Sequence, residues 1–222
     1  MTIDAVLFDM DGLLFDSETL AIEASALAAR EQGMSVGDDL FKLMLGTNKE
    51  KSTALFLEHF PALDAEKFWV DFDIFMWRQV DRDGLPVKPY AGELLQWVKG
   101  KGHKMGLCSG SPRHVVDGYL RVSGMGRYFS AILAGDDDPA LLSKPAPDMY
   151  LRTAAMLDAR PAYCLVLEDS PNGLRAGRDA GMKTIMVPDL VPYSPELAPV
   201  CDAVFPDLSH VPAFIENLSA CR

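Results

Sequence analysis

Ala5-Val6-Leu7-Phe8-Asp9-Met10-Asp11-Gly12 is the stretch that decides the architecture. Its first four residues are apolar with no polar alternation, the pattern of a parallel strand buried on both faces. The run ends in two carboxylates one residue apart, next to a glycine. Like charges that close repel, so something of opposite sign must hold them there.

Further along the chain, similar short runs recur at Lys104–Cys108, Ala131–Ala134, Tyr163–Leu167 and Thr184–Val187, with Ala203–Phe205 as a short edge strand. Helical segments fill the gaps. Ser111-Pro112 and Ser170-Pro171 each set a capping Ser before a Pro suited to the first helical position. Gly181 closes the helix through Leu174-Arg175-Ala176, and Gly92–Lys99 reads as another helix. This alternation predicts an α/β fold with a Rossmann-like open parallel sheet. One block departs from it. From Glu18 to Asp83 no strand is apparent, and apolar residues recur at helical spacing, as in Leu40, Phe41, Leu43, Met44 and in Leu55, Phe56, Leu57. Phe68, Trp69, Phe72, Phe75, Met76 and Trp77 read as a core face of that block. An all-helical insert over residues 16–87 is therefore expected within an α/β core of residues 1–15 and 88–222.

Composition narrows the function classes. The chain has 222 residues, 49% of them apolar, enough for a sizeable core. No apolar run approaches the ~20 residues of a membrane helix. The basic start and apolar stretch of a signal peptide are also missing, so the reading is cytoplasmic. Cys108, Cys164, Cys201 and Cys221 form no CxxC pair and read as reduced thiols. Net charge is −11 with no basic stripe, which argues against nucleic acid and anionic membranes as partners. An acidic protein that binds an anion must gather positive charge locally, from a lysine, helix N-termini or a bound cation.

In open parallel sheets ligands bind beyond the carboxyl ends of the strands. Asp9 and Asp11 come after the first strand, and Ser109, Gly110 and Ser111 after the second. Gly135-Asp136-Asp137-Asp138 comes after the third and leads to Lys144-Pro145. Glu168, Asp169 and Ser170 come after the fourth. Asp9, Asp11, Glu168 and Asp169 are too many carboxylates for a bare cavity. A hard divalent cation with oxygen ligands relieves their repulsion, and Mg²⁺ fits best. A phosphate substrate can share that ion, with Lys144 and the amides beside Ser109 taking its other oxygens. The spacing fits no EF-hand loop, and P-loop, dinucleotide and nucleophile-elbow signatures are absent.

FDMDGLLFDSE, LCSGSPR, SKPAPDMY and LEDSPNGLRAGRDAGM together resemble the haloacid dehalogenase-like (HAD) hydrolases. The likeness is strongest to the branch with a helical cap inserted after the first motif, which includes β-phosphoglucomutase and sugar-phosphate phosphatases. The resemblance implies that Asp9 is the nucleophile and Asp11 the general acid and then base. It implies that Mg²⁺ is held by the Asp9 side chain, the Asp11 carbonyl and Asp169, with Glu168 in support or ligating through water. Ser109 and Lys144 would clamp the phosphoryl oxygens, and Asn172 would order the fourth loop. Gly110, Ser111 and Arg113 would lie on the substrate side.

Two positions depart from the mutase pattern. The mutase His, five residues after Asp16, is Ala21 here, and its Gly-x-x-Arg loop reads Gly46-Thr47-Asn48-Lys49. Lys49 keeps the charge but not the bidentate fork of an arginine. Lys49, with Arg78, is expected to reach the substrate from the insert. Hydrolysis of a small phosphorylated metabolite, a sugar phosphate by class, is thus expected ahead of a phosphomutase. A phosphate-ligand binding protein on the same fold is the non-enzyme alternative.

Overall fold

The computed structural model describes residues 2–37, 40, 41, 43 and 49–220, without the side chains of Ser219 and Ala220. Met44, Gly46, Thr47, Asn48 and Cys221, which figure in the sequence reading, lie outside the described residues. The chain divides into two compact units, residues 1–15 with 87–222, and residues 16–86. Val87 bridges Phe15, so the sheet-bearing unit resumes there, one residue earlier than the sequence pattern suggests.

The sheet-bearing unit has six parallel strands in the order β3-β2-β1-β4-β5-β6. They are β1 Ala5–Phe8, β2 Lys104–Cys108, β3 Ala131–Leu133, β4 Cys164–Glu168, β5 Lys183–Met186 and β6 Ala203–Val204. This is the doubly wound order, whose direction reverses at β1. All four β1 residues are buried, as a strand between two neighbours and two covered faces requires. Burying Val6, Leu7 and Phe8 contributes roughly 1.5–3 kcal/mol each.

Helices α4 Ala91–Gly100, α5 Arg113–Ser123, α6 Asp148–Met156, α7 Pro171–Asp179 and α8 Val211–Ala220 complete this unit. Helix α6 packs on β1, β2 and β3, and α7 on β4 and β5. Met149, Tyr150 and Ala154 of α6 meet Leu7, Cys108 and Val166 in one buried cluster. The two expected caps differ in outcome. Ser170 caps α7 as its spacing implies, accepting from Gly173 N–H, with Pro171 at the first position. Ser111 does not cap α5. Pro112 occupies the cap position, and the carboxylate of Asp136 accepts from Arg113 N–H at 2.6 Å instead.

Among its described residues the second unit has no strand; its helices are α1 Ser17–Glu31, α2 Lys49–His59 and α3 Ala65–Asp83. Helices α1 and α3 pack closely along the small residues Ala28 and Ala29. Phe56 and Phe68 pack with ring centroids 4.4 Å apart, and Trp69, Phe72 and Phe75 close around them. Met76 and Trp77 are not part of that cluster, and Leu43 and Leu57 are exposed. Asp64 caps α3 by accepting from Lys67 N–H at 3.0 Å. Among the described residues no helix is long and apolar enough to cross a membrane. Phe68→Ala should destabilise the helical unit by about 3–5 kcal/mol. Urea unfolding combined with amide exchange should show the loss in α1 and α3.

Candidate active site

Strand register builds the site. Phe8 pairs with Leu167, and Asp9 N–H continues the ladder to the Leu167 carbonyl at 3.1 Å. Asp9 therefore emerges beside Glu168, the last residue of β4. On the other side Phe8 pairs with Leu107, which brings the Cys108 carbonyl alongside. Carboxylate oxygens of Asp9, Glu168 and Asp169 all lie within 4.8 Å of one another, and all three residues are buried. At such separations two unit charges repel by about 3–4 kcal/mol even at a moderate effective dielectric.

Lys144 provides the internal counter-charge. Its ammonium donates to Asp9 Oδ1, to Glu168 Oε1 at 2.6 Å and to the Cys108 carbonyl at 3.0 Å. It also lies 4.9 Å from the centre of the Tyr150 ring. Desolvation opposes its charge, but Asp9 and Glu168 outweigh that and push its pKa well above the usual lysine value. Burial, together with Glu168 and Asp11, drives the Asp9 carboxyl well above the ordinary carboxylate range against the pull of Lys144. Burial likewise pushes the Cys108 thiol up to about 12, which leaves it a poor nucleophile at neutral pH.

Glu168 is held by both of its oxygens. Tyr150 donates to Oε1 at 2.6 Å, and Ser170 Oγ donates to Oε2 at 2.9 Å. A Cβ on Gly173 would lie 1.8 Å from the Glu168 carboxyl carbon, so only glycine lets α7 start this close. Asp11 is held separately: Ser111 Oγ donates to its Oδ2 at 2.8 Å, and Ser109 Oγ lies 3.1 Å from the same oxygen. Ser111 N–H in turn donates to Ser109 Oγ at 3.0 Å. Gly12 turns the chain at φ +75°, and a Cβ there would meet Asp169 Oδ2 at 2.4 Å.

The structure thus brings Asp9, Glu168, Asp169 and Lys144 together, with Asp11, Ser109 and Ser111 forming a hydrogen-bonded group beside them. Gly110 packs against Gly135, where a Cβ would meet the Gly110 carbonyl at 2.2 Å. Arg113 is occupied differently from the substrate-side expectation. It pairs with Asp137 and with Asp117 at 3.3 Å, and donates to the Ile132 carbonyl at 3.1 Å. The Asp136–Asp138 run after β3 pins the start of α5 through Asp136 and Asp137. Asn172 lies in the first turn of α7, 3.5 Å from Arg175. Lys49 belongs to the helical unit, its ammonium 5.0 Å above the Trp69 ring, and Arg78 lies over Phe75 at 5.7 Å.

Sequence reasoning missed Tyr150, Lys88 and Asp189. Tyr150 lies inside SKPAPDMY, but nothing local marks its hydroxyl for Glu168. Asp189 carried a usable signal, because Val187-Pro188-Asp189 leaves the carboxyl end of the fifth strand. It lies three residues past its strand, where Asp9 and Asp169 each follow theirs directly, but at the same carboxyl edge of the sheet.

A doubly wound sheet with an acid cluster at the carboxyl ends of its central strands defines a class of α/β hydrolytic site. The family model for haloacid dehalogenase-like hydrolase matches residues 3–181, and the chain belongs to that family. It is 37% identical to hexitol phosphatase B of Escherichia coli over 103 residues, 46% of this chain and 46% of that one. It is 29% identical to the phosphorylated carbohydrates phosphatase of Thermotoga maritima over 183 residues, 82% of this chain and 84% of that one. The first curated relatives are matched over less than half of their own length, 18% in one and 46% in two others. The solved structure of a proposed β-phosphoglucomutase from Thermotoga maritima superimposes with a TM-score of 0.79. Its identity is 26%, covering 99% of this chain and 100% of that one.

The donor set suits a hard cation. Three buried carboxylates cluster, two of them paired with Lys144, their ligand atoms are oxygens, and Gly12 leaves the approach to Asp169 open. Tyr150→Phe removes a hydrogen bond to a charged, buried carboxylate. It should cost about 1–3 kcal/mol, read from denaturant midpoints at fixed pH.

Proposed function

We propose that the protein is a Mg²⁺-dependent phosphatase that hydrolyses a small phosphorylated metabolite, a sugar phosphate by class, through an aspartyl phosphate. One observation carries this reading: Asp9 sits at the carboxyl end of the central strand, within 4.8 Å of Glu168 and Asp169 and paired with Lys144. The relatives named as a hexitol phosphatase and a phosphorylated carbohydrates phosphatase support the substrate class.

Asp9, Asp169 and the Asp11 carbonyl would hold the cation, with Glu168 behind them. When bound, the cation screens the substrate's phosphate from these carboxylates and withdraws charge from phosphorus. An Asp9 carboxylate oxygen attacks phosphorus as the ester P–O bond breaks, and the bonding pair leaves with the alcohol oxygen. Asp11 gives that oxygen its proton. It then takes a proton from the water that attacks the phosphoryl-Asp9 phosphorus, releasing inorganic phosphate and free Asp9. Ser109 and Ser111 fix the Asp11 carboxyl for both transfers. Lys144, its charge secured by Asp9 and Glu168, balances the transferring phosphoryl group.

A panel of phosphate monoesters assayed for free phosphate, with and without Mg²⁺, tests the proposal. Metal-dependent release supports it. Conversion of β-glucose 1-phosphate to glucose 6-phosphate without net release would replace it with a mutase. Ligand-dependent melting shifts without turnover would indicate a binding protein. Asp9→Asn should lower kcat by on the order of 10⁴-fold or more while the folded spectrum persists. Asp11→Asn should lower it by roughly 10²–10⁴-fold, with the larger loss on substrates whose leaving alcohol has a high pKa.

A further inference from the structure

Past β5 the chain runs Val187-Pro188-Asp189. Val187 N–H still donates to the Glu168 carbonyl at 2.8 Å, so this segment leaves the sheet beside the acid cluster. The Asp189 side chain is only 9% exposed, and its Oδ1 accepts from Lys88 Nζ at 2.5 Å. Its Oδ2 is buried and accepts from no donor among the described residues. A carboxylate oxygen taken out of water without a donor is costly, so its retention calls for a ligand.

Gly12 shows where that oxygen points. The position a Cβ would take there lies 2.4 Å from Asp169 Oδ2 and 3.3 Å from Asp189 Oδ2. Two carboxylate oxygens, from the loops after β4 and β5, face the same spot over a residue with no side chain. Lys88 pairs with the far oxygen of Asp189, so its one charge stands against two carboxylates and it gives Oδ2 no hydrogen bond. The Lys88 backbone is itself tied down, its N–H donating to the Leu14 carbonyl at 2.9 Å. Asp189 is thereby held from both the β1 loop and the β5 loop.

We infer that Asp189 is a positioning residue of the cation site, its Oδ2 accepting from a water of the hydrated ion while Lys88 fixes its other oxygen. The inference rests on the cation-dependent reading above. Mg²⁺ keeps several of its waters when protein-bound, and those waters are strong donors that need acceptors. Partners of this outer kind typically change metal affinity by about 10–100-fold.

Calorimetric titration of the full chain with Mg²⁺, and electron paramagnetic resonance with Mn²⁺, test it without substrate. Asp189→Asn should weaken Mg²⁺ binding about tenfold, with the metal-free melting curve still cooperative. The loss should persist at roughly 0.5 M salt, where distant charges are screened. Asp189→Ser, a smaller replacement, should give the same loss and serves if the amide disturbs folding. Affinity within twofold of the parent overturns the inference. So does a loss that salt abolishes, or an equal loss in the exposed-site control Asp83→Asn. A parent protein that takes up neither ion overturns the phosphatase reading as well, which separates the two failures.

Discussion

Lys144 is the cation set among Asp9, Glu168 and the Cys108 carbonyl, and the site depends on its position. Its single charge stands against three buried carboxylates whose oxygens crowd within 4.8 Å. Burying a charge pair is seldom a net gain in stability, because desolvation offsets much of the attraction. The arrangement is better understood as one poised for further positive charge. Tyr150 and Ser170 hold Glu168 by its two oxygens. Asp9 and Asp169 lie beside it at the carboxyl edge of the sheet, the placement that the proposed nucleophile and metal ligand need.

The fold supplies this arrangement through register. Because Phe8 pairs with both Leu107 and Leu167, the residues one step beyond are neighbours by construction. Asp9, Cys108 and Glu168 meet for the same reason that three parallel strands end together. The long helical excursion over residues 16–86 does not disturb this, because Phe15 and Val87 bridge at its two ends and return the chain to the sheet-bearing unit. Glycines then allow the close approaches: Gly173 lets α7 begin against Glu168, and Gly12 lets Asp169 approach the first loop.

Much of this was legible in the linear chain, and the reasons are specific. The strands were readable because strands buried on both faces are apolar without alternation, and β1 and β2 fall where that pattern places them. Ser170 was readable as a cap because its partner, Gly173 N–H, is three residues away. Ser111 was misread for the complementary reason. The group that caps α5 is Asp136, 23 residues beyond Arg113 and brought there by the turn after β3. The nearness of Arg113 to the Ser109 loop points to the substrate side, and its pairing with Asp137, 24 residues away, is not legible locally.

The sequence by itself determined the alternation of buried strands and helices, the helical insert, and the acidic groups at the strand ends. All of these arise from short-range patterns: apolar periodicity, turn residues and spacing of a few positions. Only the tertiary structure decided which oxygen faces which. Tyr150 on Glu168, Lys88 on Asp189, and the shared spot over Gly12 join residues far apart in the chain. Such pairings depend on where helices and loops come to rest on the sheet, and local periodicity carries no record of that.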